Sequence, residues 1–412
     1  QAESARRFRI SWSQAPFATC VQRGWGMGLC VGKDAAPRVG ARDAGVVARI
    51  HAAESRLLSR MPGTRHVAVD VMVSLDSKPR CYHCRACGGL CGEHPEFEMW
   101  PIRTVIVGAR HRDRLPIVLV HGFMMGSACF YKWLPLLARE RKVYAIDVIG
   151  MGGSGRPPFS ADTISAELGE QLIVEPFSRW ATEMGLQEFA LLGHSFGGFV
   201  CSAWATRGDR RIRSLGLLSP VFGFSDERII RMKPEDSSWQ CHAALAISET
   251  AWQRHIAPQL LLCWIPGATA VLQQRVMEGR WKQADGASMD DDEGRLLAEY
   301  VAATMGIPDS EDATIMHFEP MCRPVEVAGS ALKNRLAKLQ LPFFAAYGDR
   351  DWMERPGKEE LPNCKILTVP DSGHHPYFDN APALAKLVLA ELPGARPTRP
   401  PKVKLGELVG EI

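Results

Sequence analysis

The sequence predicts an α/β fold, a mostly parallel sheet with helices on both faces. Three observations carry that expectation. Short apolar runs recur from Met99 to Val369, several ending in glycine or aspartate. Segments with helical spacing lie between several of them. One interval of about 120 residues, between Pro220 and Leu341, interrupts the alternation. Continuous apolar runs suit strands covered on both sides, and strand–helix alternation supplies the covering layers.

Residues 1–95 show little periodicity, and only His66–Leu75 alternates as a strand would. Residues 1–98 are therefore expected to form an irregular N-terminal extension. The core is assigned to 99–221 and 341–396, and 397–412 to a C-terminal tail. "MWPIRTVIVG" from Met99 opens the core as a strand. Leu115–Gly122 and Lys142–Gly150 follow as buried runs, then "EFALLGHS", "IRSLGLLSP", "LPFFAAYGD" and "CKILTVPD". Phe177, Trp180, Ala181 and Met184 fall at helical spacing, with Pro176 suited to a first turn. Gly197–Thr206 and Ala381–Leu392 read as two further helices, the second ending before Pro393.

The interval 222–340 is expected to be a helical cap inserted before the acid-bearing strand. Insertions there sit at the carboxyl ends of the strands, where such sheets bind ligands. Trp252, Trp264, Trp281 and "QLLLCWIP" give it an apolar character, and most of them suit the cap's own core. Arg275 and Arg280 are its candidates for meeting an anionic group. The run Asp290–Glu293 reads as a solvated loop without the rigid spacing of a metal site.

Composition excludes several classes. With 412 residues, 46% apolar and 23% charged, the chain has enough material for a core and is not wholly disordered. A net charge of +3 does not argue for nucleic acid, and no nucleic-acid-binding signature is present. Ala257–Leu272 contains Pro258 and Pro266 and is shorter than the ~20 residues of a membrane helix. Of twelve cysteines, eight are scattered, among them Cys129, Cys201 and Cys263, and read as reduced thiols of an intracellular protein.

The other four, Cys81, Cys84, Cys87 and Cys91, stand at C-x2-C-x2-C-x3-C. That spacing matches a bacterial ferredoxin run, but Gly92 replaces the usual proline and no second run follows. Four thiolates also suit a small zinc knuckle, though the loop is tight for tetrahedral closure. An unliganded insertion is the favoured reading. Residues 1–60 hold ten Lys/Arg and four Asp/Glu, with Arg6, Arg7 and Arg9 near the start. This resembles an organelle transit peptide, with a basic leader as the alternative.

Chemistry concentrates in Gly193-His194-Ser195-Phe196-Gly197, a G-x-S-x-G run between an apolar strand and a helix-like segment. A sharp turn there presents one hydroxyl above the sheet. A serine hydroxyl needs a base, and the base needs orienting. Beyond later strands stand Asp351, with Asp349 as the runner-up, and His374, with His375 beside it. His374 is expected to take the Ser195 proton and Asp351 to hold its ring. The backbone N–H groups of Phe123 and Phe196 are the expected oxyanion donors. Asp147–Pro157 is glycine-rich without the Gly-Lys-Ser/Thr of a phosphate loop, and reads as a tight loop beside the site.

Together, His121-Gly122, Asp147–Ser154, Gly193–Gly197, Asp351 and His374 resemble the α/β-hydrolase fold over roughly residues 99–394. "PFSRWATEMGLQEFALLGHSFGGF", "YGDRDWM" and "GHHPYFD" are similar to the α/β-hydrolase-domain 4/5 subfamily. That group includes lysophospholipases, a lipid-droplet lipase co-activator, a plant phospholipase and lysophosphatidate acyltransferase, and a cardiolipin deacylase. Co-activator members carry Asn at the serine position, so the resemblance implies a catalytic member here. The family's His-x4-Asp acyl-transfer motif fits His374 and Asp379, although Asp379 also suits a cap for the final helix.

The expectation is a serine hydrolase that cleaves or transfers acyl chains of glycerophospholipids or lysophospholipids without a cofactor. It is placed in the cytoplasm, in peripheral contact with membranes or lipid droplets, with mitochondrion or plastid as alternatives. The rival functions are a non-catalytic lipid-surface scaffold and a carboxylesterase for small esters.

Overall fold

The computed structural model describes residues 44–75, 98–111, 113–123, 125–157, 166–222, 291–305, 332–353 and 355–394. Eight strands form one sheet: β1 (His66–Leu75), β2 (Glu98–Val107), β3 (Ile117–Val120), β4 (Val143–Ile146), β5 (Phe189–His194), β6 (Ile212–Leu218), β7 (Phe343–Gly348) and β8 (Cys364–Val369). Their order is β1-β2-β4-β3-β5-β6-β7-β8. β1–β2 and β2–β4 pair antiparallel, and every other neighbour is parallel. The expected strands therefore all form, with the central ones buried along their whole length.

Two cores lie on the two faces of the sheet. One holds α1 (Ala44–Leu58), α2 (Leu134–Ala138), α5 (Asp291–Met305) and α8 (Ala381–Glu391), around Leu57, Trp133, Tyr300 and Leu384. The other holds α3 (Ala166–Glu183), α4 (Phe196–Thr206) and α6 (Leu332–Ala337), around Phe177, Trp180, Trp204 and Leu336. A single-turn helix, α7 (Pro376–Asp379), precedes α8.

The structure departs from the sequence reading in three places. Residues 44–75 are not irregular: α1 packs beneath the sheet and β1 is its first strand, so the core begins well before residue 99. The helix carrying Pro176 starts at Ala166, ten residues earlier than a first-turn proline requires, and Pro176 lies inside it. Glu170 anchors that early half, bonding Arg335 at 2.9 Å and Arg207 at 3.0 Å. Burial acts against its carboxylate, but the two guanidinium groups outweigh burial and hold it below the usual carboxylate range. The run Asp290–Glu293 is no loop from Asp291 onward but the first turn of α5, where carboxylates complement the helix dipole. Asp292 and Glu293 also reach Arg60 and Lys132.

Most of 222–340 lies outside the described residues, including Trp252, Trp264, Trp281, Arg275 and Arg280. Its described helices belong to the layers flanking the sheet, α5 against α1 and α6 against α4.

A buried ion pair fastens α1 to β2. Glu54 accepts from Arg103 Nε and Nη2, both at 2.9 Å, and Glu54 is 1% exposed. Burial acts to lower the guanidinium, but Glu54, Asp70 and Asp147 hold it above its usual value. Removing Glu54 leaves the buried Arg103 with Asp70 alone, at 3.3 Å, and without its two shorter bonds. Glu54→Ala should cost about 3–5 kcal/mol of stability, read as a large fall in the urea midpoint at unchanged slope.

Candidate active site

β5 runs apolar to His194, and the chain then reverses into α4 at Ser195. Ser195 has φ 51° and ψ −116°, a left-handed conformation that costs a non-glycine residue about 1–3 kcal/mol. Its surroundings hold it there. Its N–H donates to Leu218 O at 2.8 Å, and its carbonyl accepts from Gly198 at 2.9 Å and Val221 at 3.1 Å. The flanking glycines answer to close approach. A Cβ at Gly193 would overlap the Gly197 carbonyl, and one at Gly197 would overlap the Val120 and His121 carbonyls.

Three strand ends converge on this turn. Ser195 follows β5, Asp351 follows β7 and His374 follows β8. His374 Nε2 lies 3.1 Å from Ser195 Oγ, and His374 Nδ1 lies 3.1 Å from Asp351 Oδ1. Since a carboxylate only accepts, the network assigns the imidazole proton to Nδ1, leaving Nε2 to accept from the serine hydroxyl. The Asp351 side chain is wholly buried. Burial pushes its carboxyl up, but the His374 hydrogen bond and charge pull it below the usual range, aided by the Met353 N–H at 3.0 Å. The Ser219 hydroxyl approaches the same carboxylate without reaching strict hydrogen-bond geometry.

Asp349 takes a different part. It accepts from the N–H groups of Asp371 and Ser372, each at 2.9 Å, and so shapes the loop that carries His374. Asp379 does not cap the final helix. Asn380 does, accepting from Ala383 N–H at 3.2 Å. Asp379 accepts from Gly373 N–H at 2.8 Å, one residue before His374. Burial raises its carboxyl above the usual range despite that bond.

Other groups at the site carry no distinguishing signal in the sequence. His194 Nε2–H donates to the His374 carbonyl at 2.8 Å, and Tyr377 Oη sits 3.4 Å from His194 Nδ1. The histidine of the motif thus pins the backbone of His374. Trp352, 63% exposed, lays its ring 4.6 Å from the His374 ring.

Gly122 and Phe123 close the other side. A Cβ at Gly122 would stand 3.2 Å from Ser195 Cβ, and the Phe123 and Phe196 rings meet edge to face at 6.4 Å. Phe196 opens α4, at the positive end of that helix's dipole. His121, fully buried, holds the segment from beneath. Its Nδ1–H donates to Gly122 O at 2.7 Å and its Nε2 accepts from Val148 N–H at 3.0 Å. Burial lowers its pKa, so it is neutral. Asp147 ties the glycine-rich loop to the same frame, accepting from Ser127 and Gly153, both at 2.6 Å.

Among the described residues no group of three or more His, Cys, Asp or Glu side chains is placed to hold a metal ion. Cys81, Cys84, Cys87 and Cys91 lie outside the described residues, as does the basic segment 1–43. Cys129 and Cys201 are buried free thiols.

A model of the "Alpha/beta hydrolase family" matches residues 117–387. The chain belongs to the alpha/beta hydrolase family. The match spans every strand from β3 to β8, together with Ser195, Asp351 and His374. Among hydrolase relatives, the chain is 28% identical over 344 residues to a 1-acylglycerol-3-phosphate O-acyltransferase of Arabidopsis thaliana, covering 80% of this chain and 77% of that protein. It is also 28% identical over 307 residues to a (lyso)-N-acylphosphatidylethanolamine lipase of Bos taurus, covering 71% of this chain and 82% of that protein. In fold it is similar to Cfl2 from Burkholderia cenocepacia, with a TM-score of 0.54 at 19% identity, over 71% of this chain and 92% of that one. No helix among the described residues is long and apolar enough to cross a membrane.

Proposed function

We propose that this hydrolase cleaves or transfers acyl chains of glycerophospholipids or lysophospholipids through an acyl-enzyme on Ser195. The observation that supports it most is the hydrogen-bonded line from Asp351 through His374 to Ser195 Oγ, 3.1 Å at each step. Ser195 Oγ attacks the ester carbonyl carbon as its proton passes to His374 Nε2. Asp351, ionised and buried, stabilises the imidazolium. The N–H groups of Phe123 and Phe196 receive the developing oxyanion, and such a donor contributes about 3–4 kcal/mol. The tetrahedral adduct expels the glycerol oxygen, which takes the proton from Nε2. Water then attacks the acyl-serine and releases the fatty acid, or the hydroxyl of a lysophospholipid takes the acyl group.

The two relatives, a 1-acylglycerol-3-phosphate O-acyltransferase and a (lyso)-N-acylphosphatidylethanolamine lipase, support the substrate class. Peripheral contact with a membrane or lipid-droplet surface belongs to the same proposal. The exposed Trp352, with its ring over His374, supports it. A scaffold without catalysis would not need a strained serine in line with a buried histidine–carboxylate pair.

A lipid-panel assay with and without a lysophosphatidate acceptor tests the reading. Fatty-acid release from lysophospholipids should exceed that from short-chain esters, and the acceptor should capture part of the acyl flux. Faster turnover of short esters would favour a small-ester carboxylesterase. Asp379 is assigned to positioning the His374 loop through Gly373. Asp379→Ala should therefore lower hydrolysis and transfer together, by about 10–100-fold for a slightly misplaced base. Asp379→Asn, which keeps an acceptor oxygen, should retain most of both. Loss of transfer alone would restore the acyl-transfer motif.

A further inference from the structure

A cleft lies at the opposite end of the sheet from Ser195. Its volume is about 810 Å³. Val107 of β2 and Leu136 of α2, on one face of the sheet, contribute to its lining. The register fixes its place: Val107 pairs with Val143, the first residue of β4. The cleft therefore opens at the amino ends of the parallel strands, whereas Ser195 follows the carboxyl end of β5.

The rim is strongly basic. Arg60, Arg65, Arg110, Lys132 and Arg139 line the cleft, with Glu293 as its one acid. The acids of α5 answer two of these cations, Asp292 for Arg60 at 3.4 Å and Glu293 for Lys132 at 2.9 Å. Arg65, Arg110 and Arg139 have neither an ion pair nor a side-chain hydrogen bond among the described residues. All three are exposed. Like charges gathered around one hollow repel each other and raise the local anion concentration. Guanidinium groups match phosphate oxygens with two parallel N–H bonds each, a geometry lysine lacks. Val107, Tyr131 and Leu136 also line the cleft and give it an apolar part for carbon atoms attached to the anion.

We propose that this cleft binds a phosphate monoester anion, with Arg65, Arg110 and Arg139 on the phosphate and the ligand's carbon atoms toward Val107 and Leu136. The site is separate from the serine centre and does not depend on its chemistry. The ligand's source is either a soluble phosphate ester or the head group of a lipid, and one experiment separates the two.

The 412-residue chain carrying Ser195→Ala, which leaves lipid intact, is titrated with glycerol 3-phosphate. It is also titrated with phosphatidylcholine vesicles with and without phosphatidate. The same titrations are run after adding Arg65→Gln, Arg110→Gln and Arg139→Gln together. The expected result is phosphate-dependent binding that weakens about 10-fold or more in the triple variant, given the strength of hydrogen bonds to charged groups. The binding should also fall with added salt. Binding of glycerol 3-phosphate that displaces vesicles identifies a soluble ester, and binding of phosphatidate vesicles alone identifies a lipid head group. Because the arginines are exposed, an unchanged urea midpoint is expected and excludes unfolding as the cause. Absence of binding to both probes, or equal binding by the triple variant, overturns the proposal. Neither result would bear on acyl chemistry at Ser195.

Discussion

Ser195→Ala should reduce lysophospholipid turnover by at least about 10⁴-fold, the usual scale for losing the nucleophile of an acyl-transfer triad. The protein should stay folded, since among the described residues the hydroxyl bonds only His374 Nε2, at 3.1 Å. A companion variant separates chemistry from strain. Ser195→Gly should be equally inactive yet more stable than Ser195→Ala, because φ 51° is costly for any residue with a Cβ. A difference of about 1 kcal/mol is expected, read from urea midpoints. If Ser195→Ala keeps wild-type turnover, another group carries the reaction.

Asp351→Asn should fall by about 10⁴-fold in kcat while Asp349→Asn changes it little. The two carboxylates are two residues apart and do opposite things. Asp351 accepts from His374 Nδ1, so an amide NH2 facing that nitrogen would move the ring proton to Nε2 and block it as a base. Asp349 accepts two loop N–H groups, and asparagine retains an acceptor for one of them. The depressed pKa of Asp351 has a further consequence with a definite sign. An acid whose folded pKa lies below its unfolded value adds stability above the unfolded value, near 3.9. That stability is lost as pH falls through the folded value. Wild type should therefore hold an advantage over Asp351→Asn at neutral pH that shrinks only under strong acid. Equal kcat losses in the two variants would contradict the separation of roles.

Much of this was legible in the sequence because its signals are local. Buried parallel strands need continuous apolar runs, and β3, β4, β5 and β7 show them. The motif around Ser195 sits where strand gives way to helix, and the chain order of serine, acid and histidine follows from the topology of such a sheet. What escaped depends on distant partners. α1 buries Ile50, Ala53, Glu54 and Leu57, a helical stripe with a charge in it. The charge reads as a break in the stripe, because its partner Arg103 arrives from β2, 49 residues later. α3 hides its first half for a similar reason: Glu170 there is held by Arg207 and Arg335. Gly169 and Pro176 also lower its intrinsic helix preference. His194 could be quoted within the motif, but its bond to the His374 carbonyl spans 180 residues. The choice between Asp349 and Asp351 needed the loop conformation, since both follow the same strand.

The most direct test is a rapid-quench experiment with a lysophospholipid, followed by intact-mass and peptide mass spectrometry. An acyl adduct on the peptide containing Ser195 is expected, forming before fatty acid accumulates and absent from Ser195→Ala. Turnover with no adduct on that peptide, persisting in Ser195→Ala, would contradict an acyl-enzyme at this serine.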